Sequence, residues 1–83
     1  MTDSPDTDET VGAALRALLA TGAHAVYVRP VPPQHASLGN WSVDVTRFDE
    51  DCKQVQHGDA YGATLTEALV GAHAAYLADE VRP

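Results

Sequence analysis

The stretch NWSVDVTRF at residues 40–48 constrains the fold most, because apolar and polar side chains alternate along it. A period of two is typical of a β-strand that buries one face and exposes the other. Trp41, Val43 and Val45 are therefore predicted to face a core, and the polar residues between them to face solvent. A sheet with one apolar face needs a second layer of structure packed against it.

Two segments with helical periodicity can supply that layer. Asp6 or Thr7 is predicted to cap the first helix, and Gly22, which is free to adopt a positive φ, is predicted to end it. Its side chains at helical spacing form one apolar stripe: Val11, Ala14, Leu15, Leu18 and Leu19.

Thr64 and Glu67 predict the start of the second helix. In a capping box the threonine hydroxyl accepts a hydrogen bond from the backbone N–H three residues later, and the glutamate reaches back to the N–H of the cap. A narrow, alanine-rich stripe follows, which favours close packing on a sheet: Leu65, Ala68, Leu69, Ala72 and Tyr76.

Two further strands are predicted around the alternating segment. Residues 23–29 are rich in Val and Tyr, whereas residues 52–58 contain Val55 as their one strongly apolar residue. Residues 30–39 form a long loop with three prolines, which is either a rigid connection or a functional segment. The acidic residues 49–51 are predicted to form a hairpin turn.

The predicted fold class is therefore α+β, with a three-stranded antiparallel sheet and two helices packed on one face. Residues 1–8 are predicted to be a disordered acidic tail, and residues 9–83 a single α-β-β-β-α domain. The expected core is Leu15, Leu18, Leu19, Val26, Val28, Trp41, Val43, Val45, Leu65, Leu69 and Tyr76.

Composition limits where this chain acts and what it binds. Twelve acidic and five basic residues give a net charge of −7, which disfavours direct binding to nucleic acid or to anionic membranes. Cys52 is the single cysteine, and neither a signal peptide nor a membrane span is apparent, so a cytoplasmic protein is expected. The abundance of Arg over Lys, and of Ala, suggests a bacterial or phage genome.

The order of the predicted elements resembles the double-stranded-RNA-binding-domain fold over nearly the whole ordered chain. That family places a lysine-rich cluster at the start of its second helix, whereas residues 64–67 here contain no Lys and one Glu. The resemblance therefore implies the fold and not RNA binding.

Residues 58–69, GDAYGATLTEAL, are similar to the strand-to-helix passage of HicB-type antitoxins and of small phage "ABA sandwich" proteins. This similarity implies a small αβ sandwich without an inherited active site.

Motifs for catalysis, cofactors or metals do not emerge from the sequence. The four histidines are scattered, although His24 and His57 would approach each other if the outer strands met. The acidic neighbours of Cys52 make it a poor nucleophile, so an inert thiol is expected. Asp44 and Asp59 are the one candidate acid/base pair, but solvated carboxylates are the favoured interpretation. We expect no enzyme activity, no cofactor and no metal.

The expected function is a small protein–protein interaction module with an unidentified protein partner. Exposed sheet edges and an uncovered sheet face favour such contacts, and a homodimer and a monomer both remain open. Two alternatives are an acidic inhibitor that mimics nucleic acid and blocks a host DNA-handling or defence protein, and an antitoxin-like partner. The candidate partner surface is Tyr27, Arg29, Thr46, Phe48, Asp49, Glu50 and Asp51.

Overall fold

The computed structural model describes residues 6–80, which form one helix, three strands and a second helix. The elements are α1 (Asp8–Leu19), β1 (Ala25–Pro30), β2 (Trp41–Phe48), β3 (Gln54–Gly62) and α2 (Leu65–Glu80), with a 3₁₀ segment (Pro33–Leu38) between β1 and β2. The strands lie in the order β1-β2-β3, and both neighbouring pairs are antiparallel. The predicted α-β-β-β-α fold is confirmed.

The core lies between β2 and the helices, as the alternation in β2 predicts. Val43 and Val45 are fully buried, and Val45 lies between Val26 of β1 and Gly58 of β3. The helices contribute the other fully or almost fully buried apolar side chains: Leu18, Ala68, Leu69, Ala72 and Tyr76. Trp41, Val26 and Leu65 pack at its margin and are half-buried.

Two side chains of the predicted core are exposed instead. Leu19 is 52% exposed and Val28 is 41% exposed. The reason is the placement of the helices, since α2 packs on β3 and β2 while α1 packs on α2. On the helix-facing side of the sheet, β1 is consequently the least covered strand.

The third strand and the loop differ from their predicted bounds. β3 begins at Gln54 and continues to Gly62, so Asp59 lies within the strand, beyond the predicted end at residue 58. The loop at 30–39 contains the 3₁₀ segment, which is kinked at His35. The β2–β3 pairing also has an irregularity at Arg47/Phe48.

Glycines allow α2 to lie almost directly on β3. A Cβ atom at Gly58 would stand 2.2 Å from the backbone nitrogen of Tyr76 and 2.7 Å from the carbonyl oxygen of Ala72. A Cβ atom at Gly62 would stand 2.5 Å from the nitrogen of Ala68. Such distances are shorter than any real carbon contact, so the approach of α2 requires glycine at both positions.

The helix N-termini are capped partly as predicted. Thr7 caps α1 and forms a reciprocal box with Thr10, and Gly22 has a φ of 90° after the helix. At α2, the Thr64 hydroxyl accepts from the Glu67 N–H at 3.2 Å. The Glu67 carboxylate accepts from the N–H of Ala63, one residue before the expected donor.

Asp6 caps the N-terminus of α2, although Asp6 lies 59 positions before Leu65 in the sequence. Its carboxylate accepts hydrogen bonds of 2.8 Å from the backbone N–H groups of Leu65 and Thr66 and from the Thr66 hydroxyl. Since α1 begins at Asp8, the boundary of the predicted tail lies too late in the chain. Residues 1–5, which hold the rest of that tail, lie outside the described residues.

Replacement of Gly58 tests the close approach of α2. We expect Gly58→Ala to lower the free energy of unfolding by about 3 kcal/mol, because the new methyl group must displace the α2 backbone. Gly12→Ala is the matched control in α1, where the Cβ would meet only the flexible Arg16 side chain. That variant should instead be more stable by roughly 0.5–1 kcal/mol, since Ala favours helix more than Gly does. Urea unfolding of both variants measures these changes in the free energy of unfolding. Equal changes in Gly58→Ala and Gly12→Ala would contradict this packing.

The Asp6 cap predicts a pH dependence of stability. Hydrogen bonds from the backbone of Thr66 and then of Leu65 hold the pKa of the Asp6 carboxyl below its ordinary value of 3.8. The cap therefore stabilises the folded state fully above the pKa of the unfolded chain, and the stabilisation is lost as the pH falls through the folded pKa.

Thermal unfolding from pH 2 to 7 measures this dependence. Asp6→Ala should unfold at a lower temperature near neutral pH, and its difference from the parent should shrink below about pH 4. Asp51→Ala, in the exposed β2–β3 turn, should not show this pH-dependent difference. A gap between Asp6→Ala and the parent that stays constant down to pH 2 would contradict the assignment.

Candidate binding surface on the open face of the sheet

The sheet face opposite the helices brings together residues from all three strands. We call this the open face. Cross-strand pairing and the burial of Val43 and Val45 on the other side assign nine residues to it, in three rows. The rows are Ala25–Thr46–His57, Tyr27–Asp44–Asp59 and Arg29–Ser42–Tyr61.

Asp44 connects the strands at the centre of the open face. One carboxylate oxygen accepts from the Arg29 guanidinium at 2.5 Å, and the other lies 3.4 Å from Nε2 of His57. The Asp44 side chain is only 21% exposed, whereas that of Arg29 is 66% exposed. Asp44 therefore holds Arg29 in place while the guanidinium remains available to a ligand.

Two adjoining clefts share Arg29. The first, of about 370 Å³, lies between the sheet and the proline-rich loop. Its lining includes Arg29 and Tyr61 from the strands and Pro32, His35 and Leu38 from the loop. The second, of about 360 Å³, is lined by Tyr27, Arg29, Asp44, Thr46, Gln54 and His57. We call the two clefts together, with Arg29 between them, the open-face groove.

The proline-rich loop is fixed as a wall of this groove. The Asn40 side chain donates to the Ala63 carbonyl at 2.9 Å, and its backbone N–H donates to the Gly62 carbonyl at 2.9 Å. Gly39 has a φ of 131° and lies against the backbone of Gly62, a position that favours glycine. These contacts attach the end of the loop to the end of β3, next to Tyr61.

The predicted partner surface divides into two separate places. Tyr27 and Arg29 line the open-face groove, and Thr46 lines it too but is only 6% exposed. Phe48 stacks on His24 with ring centroids 6.3 Å apart, and its N–H donates to His24 Nδ1. Phe48 therefore belongs with the acidic turn and not with the groove.

Tyr61, His57 and Leu38 are groove residues that the sequence prediction missed. Tyr61 and Leu38 are half exposed, at 50% and 49%, and Tyr27 is similar at 58%. A signal for Tyr61 was present, because continuing the alternation of β3 past Gly58 places Asp59 and Tyr61 on one face.

The acidic turn after β2 uses one of its carboxylates internally. Oδ1 of Asp49 accepts from the backbone N–H groups of Asp51 at 2.8 Å and Lys53 at 3.0 Å, which confirms a hairpin turn. Glu50 and Asp51 are exposed. Cys52 is an exposed free thiol and has a φ of 63°.

The candidate chemical groups do not converge on a metal site. Within residues 6–80, no three His, Cys, Asp or Glu side chains lie close enough together to hold a metal ion. β2 separates His24 from His57, because β1 and β3 are the outer strands. Asp44 and Asp59 do lie side by side across the strands, and Asp44 is engaged by Arg29. Within the same part of the chain, no helix is both long and apolar enough to cross a membrane.

Comparisons with protein families, with curated proteins and with solved structures found no match to this chain. The likeness to HicB-type and "ABA sandwich" proteins therefore stays a prediction. The likeness to the double-stranded-RNA-binding domain stays a prediction too, and the structure shows the α-β-β-β-α order alone.

Cys52 provides a test of the turn geometry. A non-glycine residue with positive φ is strained, so Cys52→Gly should raise the free energy of unfolding by roughly 0.5–1 kcal/mol. Cys52→Ala removes the thiol but retains the Cβ atom, and it should leave stability within about 0.5 kcal/mol of the parent. Chemical denaturation under reducing conditions measures both. A gain in Cys52→Ala equal to that in Cys52→Gly would show that the thiol, and not the backbone, is responsible.

Proposed function

We propose that this chain is a small, non-enzymatic protein-binding module that recognises its partner through the open-face groove. The observation that supports this proposal is the arrangement of half-exposed Tyr27, Tyr61 and Leu38 around an Arg29 that Asp44 holds in place. Tyr and Arg are enriched at the energetically important centres of protein interfaces. Groups held in place before binding lose less conformational entropy when a partner binds.

The charges of the groove favour a protein partner over nucleic acid. Asp44 and Asp59 lie in the central row, and Arg29 is the one Lys or Arg side chain among the nine residues of the open face. Nucleic acid binding depends on several phosphate contacts from Lys and Arg, whereas the whole chain carries a charge of −7. A partner segment with apolar side chains and an acidic or carbonyl group for Arg29 matches the groove better.

A second candidate function is an acidic inhibitor that occupies a nucleic-acid-binding groove. Glu50 and Asp51 support it, because both are exposed at the tip of the β2–β3 hairpin. Asp49 contributes less to such a surface, since its carboxylate already accepts two hydrogen bonds within the turn.

A partner-capture experiment distinguishes the two candidates. Tagged parent protein, Tyr61→Ala, Leu38→Ala and the double variant Glu50→Gln/Asp51→Asn are used to capture proteins from a host lysate, with mass spectrometry as the readout. Val70→Ala is the matched control, because Val70 is 57% exposed on α2, away from the open face. Purified candidates are then titrated by calorimetry.

The groove proposal predicts that Tyr61→Ala and Leu38→Ala each weaken binding of the captured partner by at least about tenfold, a loss of about 1.4 kcal/mol. Val70→Ala and the turn variant should bind like the parent. Loss of binding only in the turn variant, with release at moderate salt, would favour the acidic inhibitor. A partner whose binding none of these variants weakens would overturn both proposals.

A further inference from the structure

The two free edges of the sheet are unequal. At the β3 edge, the backbone N–H of His57 donates to the carboxylate of Asp79 in α2 at 2.8 Å. Asp59 adds a negative charge to the same strand. A carboxylate bound to an edge donor and a charged residue on the strand both hinder the addition of another strand.

Part of the β1 edge lacks these protections within the described residues. Ala25 to Val28 carry no charge and include no proline, so Arg29 and Pro30 protect only the end of the strand, and the register of β1 with β2 is continuous from Ala25 to Pro30. Tyr27 and Val28 project from opposite faces of this strand and are both exposed. An unbroken strand with exposed apolar side chains on both faces favours pairing with another strand.

The hydrogen-bond pattern identifies the backbone groups at this edge. Val31 donates to the Asn40 carbonyl at 3.0 Å, in register with the β1–β2 pairing. In an antiparallel pair, every second residue of a strand forms its backbone hydrogen bonds with the same neighbouring strand. The backbone N–H and C=O groups of Arg29 and Tyr27 therefore also point towards β2. The N–H and C=O groups of Val26 and Val28 consequently point out of the sheet.

We propose that a second copy of this chain pairs with this edge, β1 against β1 in antiparallel orientation about a two-fold axis at Tyr27. The pairing joins two three-stranded sheets into one of six strands. Val26 of each copy lies opposite Val28 of the other, so all four outward N–H groups meet the four outward C=O groups. The two Tyr27 side chains lie next to each other on the open face, a favourable cross-strand aromatic pair.

Pro30 selects this register over the next symmetric one. An axis at Val28 would place Val26 opposite Pro30, which has no N–H to donate, and the Val26 carbonyl would remain unpaired. The axis at Tyr27 leaves Pro30 outside the paired backbone groups and joins valines on the side that faces the helices.

Charge determines how salt affects this dimer. Each copy carries a net charge of −7, so two copies repel each other at long range. Long-range repulsion between two copies is screened by salt, so dimerisation should strengthen as salt rises from about 0.05 to 0.5 M. Binding of a basic partner to the acidic turn would weaken over the same range. The dimer interface excludes Tyr61 and Leu38, so this inference goes beyond the proposed function and can fail independently of it.

Sedimentation equilibrium from about 10 µM to 1 mM tests the dimer, a range suited to a small interface. The variants are Val28→Lys, which adds a charge at the edge, and Val28→Pro, which removes an outward N–H without removing a bond to β2. Val55→Lys is the matched control on β3, because Val55 is 44% exposed and Val28 is 41% exposed.

The parent should form a dimer whose dissociation constant rises at least about tenfold in both Val28 variants and less than about twofold in Val55→Lys. A parent that stays monomeric to 1 mM would overturn the proposal, as would a dimer equally stable in Val28→Lys or equally weakened in Val55→Lys.

Amide hydrogen exchange of the parent gives a readout that needs no variant. The N–H groups of Val26 and Val28 should exchange more slowly as the protein concentration rises, and unchanged rates across a dimerising range would also overturn the pairing.

Discussion

The direct contact between α2 and β3 at Gly58 and Gly62 determines where every other part of this fold lies. Without side chains at these positions, the helix backbone rests on the strand, and the small Ala68 and Ala72 fill the space beside it. Polar contacts then fix the position of the helix along the strand. The Gln56 side chain donates to the Tyr76 carbonyl at 2.8 Å.

The position of α2 over β3 also decides which surfaces remain free. Because α2 covers β2 and β3 and α1 packs on α2, the helix-facing side of β1 keeps an exposed Val28. The same approach brings Asp79 to the backbone N–H of His57, so one hydrogen-bond donor at the β3 edge is already occupied. The open-face groove lies on the other side of these strands. The proposed partner surface and the proposed dimer edge therefore both follow from one packing contact.

Local patterns made much of this structure predictable. The alternation from Trp41 to Val45 indicates which face of β2 is buried, and Thr64 with Glu67 indicates where α2 begins, because both signals arise among neighbouring residues. The cap that Asp6 provides to α2 joins residues 59 positions apart, and no local pattern reveals it. Val28 and Val43 look alike in sequence, and only the lateral position of α2 makes one exposed and the other buried.

In the candidate binding surface, the places of Tyr27 and Arg29 could be predicted, because both lie in the strand that the sequence indicates at residues 23–29. Tyr61 was missed because Gly58 and Asp59 resemble a turn, whereas the glycine serves helix packing.

Nuclear Overhauser effects in the unmodified chain test the α2–β3 contact most directly. The packing predicts strong cross-peaks from the Hα protons of Gly58 to the amide proton of Tyr76, and from those of Gly62 to the amide proton of Ala68, since a Cβ at these glycines would lie 2.2 Å and 2.5 Å from the respective nitrogens. Cross-peaks from the Val45 methyl groups to Leu69 and Tyr76 confirm in the same spectrum that the core is formed. Absence of both glycine cross-peaks while those core cross-peaks are present would contradict this packing and the unequal sheet edges that follow from it.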